Sequence, residues 1–370
     1  MTRRGFAARV GAALAGARML PEMAYAQRAL IQGKLPNDMV WLNANENPLG
    51  PPKPSLAAMA EVLPASFRYH YQELRGFYEA LARSEDLQPE NILAGSGSSE
   101  MLHAAVHAFT APDRPLIVMH PTYEGPGAVT AALARQVIRV PLRADYSADV
   151  RGLAEAAAKA HGGLIYICNP NNPTASLTSK ADIEWLAGNL PSGTVLLVDE
   201  AYIHFADSKD LGTAIPYVRQ GKNVVVARTF SKIYGMAGVR AGFVCAPPAL
   251  IDQMQPYRIN VLSVIAMRAV EAALPEAGTM VPERRAVNSR IRGELCDWLR
   301  QRHLSYIESQ ANFIMIDVGR NAREFITKMP PMGVAVGRPF PPLDNMLRVT
   351  IGTDRDMQKF REVFWQVYQA

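Results

Sequence analysis

A chain of 370 residues with 49% hydrophobic and 20% charged residues has the balance of a globular protein, and its length exceeds one ordinary core. The net charge of +5 gathers at the start, where residues 1–26 hold Arg3, Arg4, Arg9 and Arg18 against Glu22, leaving +2 on the remainder. With no basic stripe interleaved with aromatics, nucleic acid is not expected as a partner, and no apolar run after the first segment reaches the roughly 18 residues that span a bilayer.

In chain order, Thr2-Arg-Arg-Gly-Phe6 precedes the small-residue stretch Val10–Ala17, and Ala24-Tyr-Ala26 follows. This order looks like a twin-arginine export signal over residues 1–26 with an Ala-x-Ala cleavage site. It predicts a mature start at Gln27 and a periplasmic or secreted protein with no stable membrane association. The alternative is a helical arm that packs on a partner subunit of a cytoplasmic protein. Residues 27–70 are expected to form an N-terminal arm and part of a small domain, 71–250 a large domain, and 251–370 the rest of the small one. A Pro- and Asn-rich loop runs from Asn45 to Pro54.

Helix and strand then alternate from about Leu74 to Ala246, the pattern of a mostly parallel sheet covered by helices. Gly95-Ser-Gly-Ser-Ser-Glu100 opens an amphipathic helix, so its free N–H groups and dipole can receive a phosphate beside Ser98 and Ser99; an ordinary helix cap reads the same way. The strand Leu116–Met119 closes at Pro121-Thr-Tyr123, where Tyr123 either stacks on a flat ring or packs in the loop. Gly163–Cys168 ends in the tight turn Asn169-Pro-Asn-Asn-Pro-Thr174, which carries Asn172 toward a ligand.

Thr194–Val198 is a continuous apolar run of the kind buried on both faces of a parallel sheet. Asp199 and Tyr202 therefore emerge at a strand's carboxyl end, where open α/β sheets hold their ligands. A carboxylate there can pair with a protonated pyridine nitrogen. After the strand at Asn223–Ala227 comes Arg228-Thr-Phe-Ser-Lys-Ile-Tyr-Gly-Met-Ala-Gly-Val-Arg240. Lys232 suits an amine that holds an aldehyde cofactor covalently. Thr229, Ser231 and Arg240 can bind its phosphate, and Gly235 and Gly238 are expected to let the backbone approach a ligand closely. A helical stretch follows over about 261–304, with Pro275 and Pro282 expected to break it. Shorter strands over Phe313–Val318 and Met346–Ile351 complete an α+β domain. Cys168, Cys245 and Cys296 are scattered, with neither disulfide nor metal spacing, and are expected to be buried thiols.

Taken together, Asn45-Glu-Asn-Pro48, Arg68-Tyr69, Gly95–Glu100, Pro121–Tyr123, Asn171-Asn-Pro-Thr174, Asp199-Glu-Ala-Tyr202, Ser231-Lys232, Arg240 and Leu347-Arg-Val-Thr-Ile-Gly352 resemble the fold type I aminotransferases that use pyridoxal 5'-phosphate. The likeness is to the histidinol-phosphate aminotransferase-like branch and covers residues 40 to 370. It implies an α/β fold with a mostly parallel central sheet, helices on both faces and a smaller α+β domain. It implies ping-pong transfer of an amino group from an amino acid or related amine to a 2-oxo acid. Lys232 would bind the cofactor covalently, Asp199 would pair with the ring nitrogen, Asn172 and Tyr202 would contact the ring oxygen, and Tyr123 would stack on the ring. Ser98, Ser99, Thr229, Ser231 and Arg240 would bind the phosphate, and Tyr69 would reach the phosphate of a second subunit, giving a homodimer with composite sites. Asn45 and Arg348 would contact substrate, Arg348 as an anion clamp, while Arg338 either adds a second cation or stiffens its loop.

Lys232 and Asp199 serve other enzymes of this fold equally, so a decarboxylase, lyase or amino-acid oxidase stays open, as does a non-catalytic binding module. Four departures weaken transfer of substrate identity. Ala175 stands where Gly is usual, a mild change if its φ is negative. His70 replaces a usual Pro, Leu49 a usual aromatic, and the loop 336–342 differs. An exported protein also makes histidinol phosphate, a cytoplasmic intermediate, a poor donor, and favours an amino acid met in the periplasm.

Overall fold

The computed structural model describes residues 38–370; the expected export segment, residues 1–26, lies outside the described residues. Twelve strands are described: β1 (Val40–Leu42), β2 (Ile92–Gly95), β3 (Leu116–His120), β4 (Val137–Pro141), β5 (Gly163–Cys168), β6 (Thr194–Asp199), β7 (Val224–Thr229), β8 (Gly242–Cys245), β9 (Tyr306–Ile307), β10 (Phe313–Asp317), β11 (Val334–Val336) and β12 (Met346–Thr350). Seven form one sheet in the order β2-β8-β7-β6-β5-β3-β4, in which β8 alone runs antiparallel to its neighbours. The sequence reading of a mostly parallel sheet is met.

Strand parity decides what lies on each face. Leu164, Tyr166, Cys168, Val195, Leu197, Val225 and Ala227 enter one apolar cluster, together with Met101, Leu102 and Phe109 of the helix Ser98–Phe109. Ile165, Ile167, Leu196, Val198, Val224 and Val226 enter the other. Each large aliphatic side chain so buried contributes roughly 1.5–3 kcal/mol. Continuing the alternation, Asp199 and Thr229 emerge on the face of the helix Ser98–Phe109, while Glu200 and Arg228 emerge on the opposite face. The helix Val264–Ala273, though it follows the last strand of this sheet, packs into the second face's core.

A second core forms around the antiparallel sheet β12-β10-β9, with Ile314, Ile316, Leu347, Val349, Phe360 and Phe364 buried between the helices Ala277–Arg300 and Asp354–Gln369. The N-terminal strand β1 pairs in parallel with β11, so the chain's early loop is held beside this small sheet. Two sequence expectations are corrected here. Pro275 does separate two helices, but Pro282 lies inside the helix Ala277–Arg300 without ending it; near a helix start it forfeits one hydrogen bond, and buried Met280, Val281 and Ile291 retain the packing. Ala175 has φ +58°, not negative. The turn forces that angle: Ala175 N–H donates to Asn171 O at 2.7 Å, and Asn171 N–H to Ser176 O at 2.9 Å. A left-handed residue with a side chain costs about 1–2 kcal/mol.

Candidate active site

The site forms where β5, β6 and β7 end. Asp199, the last residue of β6, is 3% exposed. Its Oδ2 accepts from the Tyr166 hydroxyl at 3.0 Å and its Oδ1 from the Ala201 N–H at 3.2 Å. Burial pushes its pKa up to about 6, against the hydrogen bonds from Tyr166 and Ala201 and the nearby Lys232, which favour the ionised form. The same burial, with Asp199 beside it, holds the Tyr166 phenol well above its ordinary range, so Tyr166 stays a donor. Tyr166 was missed in the sequence; its signal was a tyrosine in an otherwise aliphatic buried strand, because a buried hydroxyl needs a partner.

Lys232 follows β7. Its Nζ donates to the Ala44 and Asn45 carbonyls, both at 3.1 Å, and lies 5.5 Å from the centre of the Tyr202 ring. Tyr202 is buried edge-on against Phe313 at 5.0 Å, and its hydroxyl accepts from Asn45 Nδ2 at 3.2 Å. Asn45 is in turn pinned by Thr350, whose Oγ1 accepts the Asn45 N–H at 2.9 Å, and by Asn312, whose amide donates to the Asn45 and Glu46 carbonyls. Asn312 gave no sequence signal, since it acts only through a loop more than 260 residues away.

Beside the lysine lies a cup of donors. Gly97, at φ +82°, leads into the helix Ser98–Phe109, whose first residues are Ser98 and Ser99. Glu100 accepts the Ser96 N–H at 2.5 Å and the Ile259 N–H at 2.9 Å, fixing the turn. Across from it, Thr229 donates to Ser231 Oγ at 2.9 Å, and Arg240 Nη1 donates to Ser231 Oγ at 3.3 Å and Ala237 O at 2.8 Å. The close approach expected at Gly235 and Gly238 is corrected. A methyl on Gly235 would meet Gly50 O at 2.2 Å, a chain contact, while Gly238 faces open space. The cup instead depends on Gly97, whose methyl would lie 2.4 Å from Arg240 Nη2, and Gly242, whose methyl would lie 2.2 Å from Ser98 N.

On the third side, Arg348 of β12 is fully buried. Its Nη1 donates to Asn172 Oδ1 and its Nη2 to Asn43 O, both at 2.7 Å, and its guanidinium lies 4.6 Å from the centre of the Phe340 ring. Because Arg348 holds the amide oxygen of Asn172, the amide nitrogen is left as the side chain's donor. Tyr123 packs at the edge of the core that holds Met101 and Tyr166. Arg338 pairs with Glu124 and does not stand as a separate cation. Tyr69 is the one candidate not brought in: it is 73% exposed and stacks on Tyr71 at 5.3 Å.

Behind the sheet, Arg228 binds Glu200 at 2.8 Å and Glu85 at 3.5 Å, all largely buried. Burial raises both carboxyls, and together with Arg228 it lowers His204 to about 3, so that imidazole is neutral. This cluster anchors the residues that directly follow Asp199 and precede Thr229.

Pyridoxal phosphate fits these residues. A buried carboxylate whose pKa is raised gains most from a cationic partner such as a protonated ring nitrogen. A helix N-terminus, two hydroxyls and an arginine suit a phosphate dianion. Lys232 follows Ser231 of the cup and is near enough to Asp199 to favour its ionised form.

Comparison with known proteins agrees. Residues 37–364 match the family of class I and II aminotransferases. The chain is 33% identical to the histidinol-phosphate aminotransferase of Moorella thermoacetica over 87% of this chain and 84% of that protein. It is 34% identical to that of Symbiobacterium thermophilum, over 88% and 90%. The crystal structure of histidinol-phosphate aminotransferase from Sinorhizobium meliloti in complex with pyridoxal-5'-phosphate superposes with a TM-score of 0.84 at 25% identity, covering 95% of each chain. The chain therefore belongs to the class I and II aminotransferases of fold type I, pyridoxal-phosphate-dependent enzymes that move amino groups between amino donors and oxo acids, in their histidinol-phosphate aminotransferase-like branch.

Proposed function

We propose that Lys232 is the covalent anchor and general base of this aminotransferase, Asp199 the partner of the ring nitrogen, and Arg348 the clamp on the donor's carboxylate. The convergence of an amine, a buried carboxylate and an arginine-hydroxyl cup at the ends of β6 and β7 carries this reading. When bound, pyridoxal phosphate supplies an aldehyde that takes the amino group and a ring that withdraws electrons from the carbon beside it. Ionised Asp199 would accept from the protonated ring nitrogen, and the Tyr166 hydroxyl and the Ala201 N–H hold Asp199 in place. Asn172 Nδ2 and the Tyr202 hydroxyl would meet the ring oxygen, Tyr123 would cover one ring face, and Ser98, Ser99, Thr229, Ser231 and Arg240 would grip the phosphate. Lys232 Nζ would act as the general base that takes a proton from the donor's α-carbon. Asn45 keeps the Tyr202 hydroxyl in position, next to the carbonyls that Lys232 contacts.

A homodimer with Tyr69 reaching the second subunit's phosphate is supported by its exposure beside exposed Phe67 and Tyr71. Export through residues 1–26 is supported by the paired arginines and the Ala-x-Ala site. On that basis the donor is an amino acid met outside the cytoplasm, not the histidinol phosphate of the relatives' names. An amino-donor screen on holoenzyme, with and without a 2-oxo acid, tests the reading. Oxo product that depends strictly on the acceptor supports it; carbon dioxide release or peroxide formation with no acceptor refutes it.

A further inference from the structure

Beyond Arg348, an ion pair that the reaction does not require is packed beside Phe340. Glu124, directly after Tyr123, pairs with Arg338, and both side chains are largely buried, 15% and 12% exposed. That guanidinium is held from several sides: Nη2 donates to Glu124, Nη1 to Pro339 O at 3.0 Å, and one face lies 4.2 Å from the centre of the Phe340 ring, while Nε is buried. The same Phe340 ring lies 4.6 Å from the Arg348 guanidinium, so one aromatic ring links the paired guanidinium to the arginine proposed as the carboxylate clamp. Phe340 is buried with Ile307, Met315 and Met346, and Tyr146 and Leu343 pack on this group. The surroundings of the pair are therefore aromatic and apolar, and the ion pair within them is internally neutralised.

We propose that Glu124 is a specificity-determining residue: by neutralising Arg338 it selects amino donors and oxo acceptors with uncharged, apolar or aromatic side chains, and rejects a distal carboxylate or phosphate. An arriving distal anion has to displace Glu124 from a shielded pair and then face its carboxylate, so like charges meet where water is scarce. Removing Glu124 leaves Arg338 as a shielded cation that a distal anion would satisfy. The inference rests on Arg348 being the α-carboxylate clamp.

The test measures dissociation constants of two unreactive acids on holoenzyme by calorimetry, butyrate with one carboxylate and glutarate with two. Wild type binds glutarate no tighter than butyrate. Glu124→Gln, which keeps the shape, and Glu124→Ala each shift the ratio toward glutarate by about tenfold, equal to about 1.4 kcal/mol. Adding Arg338→Ala to Glu124→Gln reverses the shift. A wild-type preference for glutarate, or a shift below about threefold in both variants, overturns the proposal. Failure of the transamination reading is seen separately, as a ratio that shifts while no donor passes its amino group to an oxo acid.

Discussion

Replacing Asp199 by Asn isolates what the buried carboxylate does to fold and function. Burial raises its pKa from 3.8 to about 6. A carboxyl raised on folding favours the native state while protonated, and that stability is lost as pH rises from the unfolded value through about 6. The shift of roughly two units corresponds to about 3 kcal/mol lost by the cofactor-free protein above pH 7. Asn fills the same volume, its oxygen still accepts the Ala201 N–H, and the Tyr166 hydroxyl rotates to accept from the new amide. Asp199→Asn should therefore stabilise the apoprotein at pH 8 by up to about 3 kcal/mol, and by about 1.4 kcal/mol less at pH 5. Urea unfolding of both apoproteins at the two pH values measures this, because other titrating groups cancel in the comparison. The same variant should lose at least about a hundredfold in kcat, since it cannot stabilise the protonated ring nitrogen. Identical pH dependence of the two apoproteins, together with retained turnover, would refute the assignment.

Three further outcomes are expected. Gly242→Ala puts a methyl 2.2 Å from Ser98 N, a backbone contact that only moves by parting β8 from the helix start; cofactor affinity should fall by about tenfold or more, read by titration of apoprotein, with the circular dichroism spectrum unchanged. Tyr69→Phe removes one donor to a charged phosphate, about 1.5–3 kcal/mol; mixing it with Lys232→Ala subunits, each feeble alone, should restore up to half the activity per heterodimer, and no recovery after proven subunit exchange would exclude a shared site. A reporter fused to residues 1–26 should reach the periplasm and be retained in the cytoplasm after Arg3→Lys with Arg4→Lys; mature protein found only in the cytoplasm with Thr2 intact would make the segment an arm.

Much of this site could be read from the chain because buried parallel strands are written as continuous Val, Leu and Ile runs. A polar residue that ends such a run must stand at the sheet's carboxyl edge. That logic located Asp199, Thr229 and Lys232, and the Gly-Ser turn before an amphipathic helix located Ser98 and Ser99. Strand parity even separates Asp199 and Thr229 from Glu200 and Arg228, once the strands are known. What the sequence could not settle were pairings between distant segments and angles imposed by a closed turn. Arg348 to Asn43 joins residues 305 positions apart, and Arg338 to Glu124 joins residues 214 apart. Arg338 could be read as a cation for substrate or as a loop stiffener, and only the packed fold gives it Glu124. Ala175 takes a positive φ because its neighbours' hydrogen bonds outweigh the local preference for a negative one. Local pattern follows from hydrophobicity and backbone sterics, which act within a few residues. The partner of a charge follows from which surfaces the core brings together, and that is fixed only when the whole chain has packed.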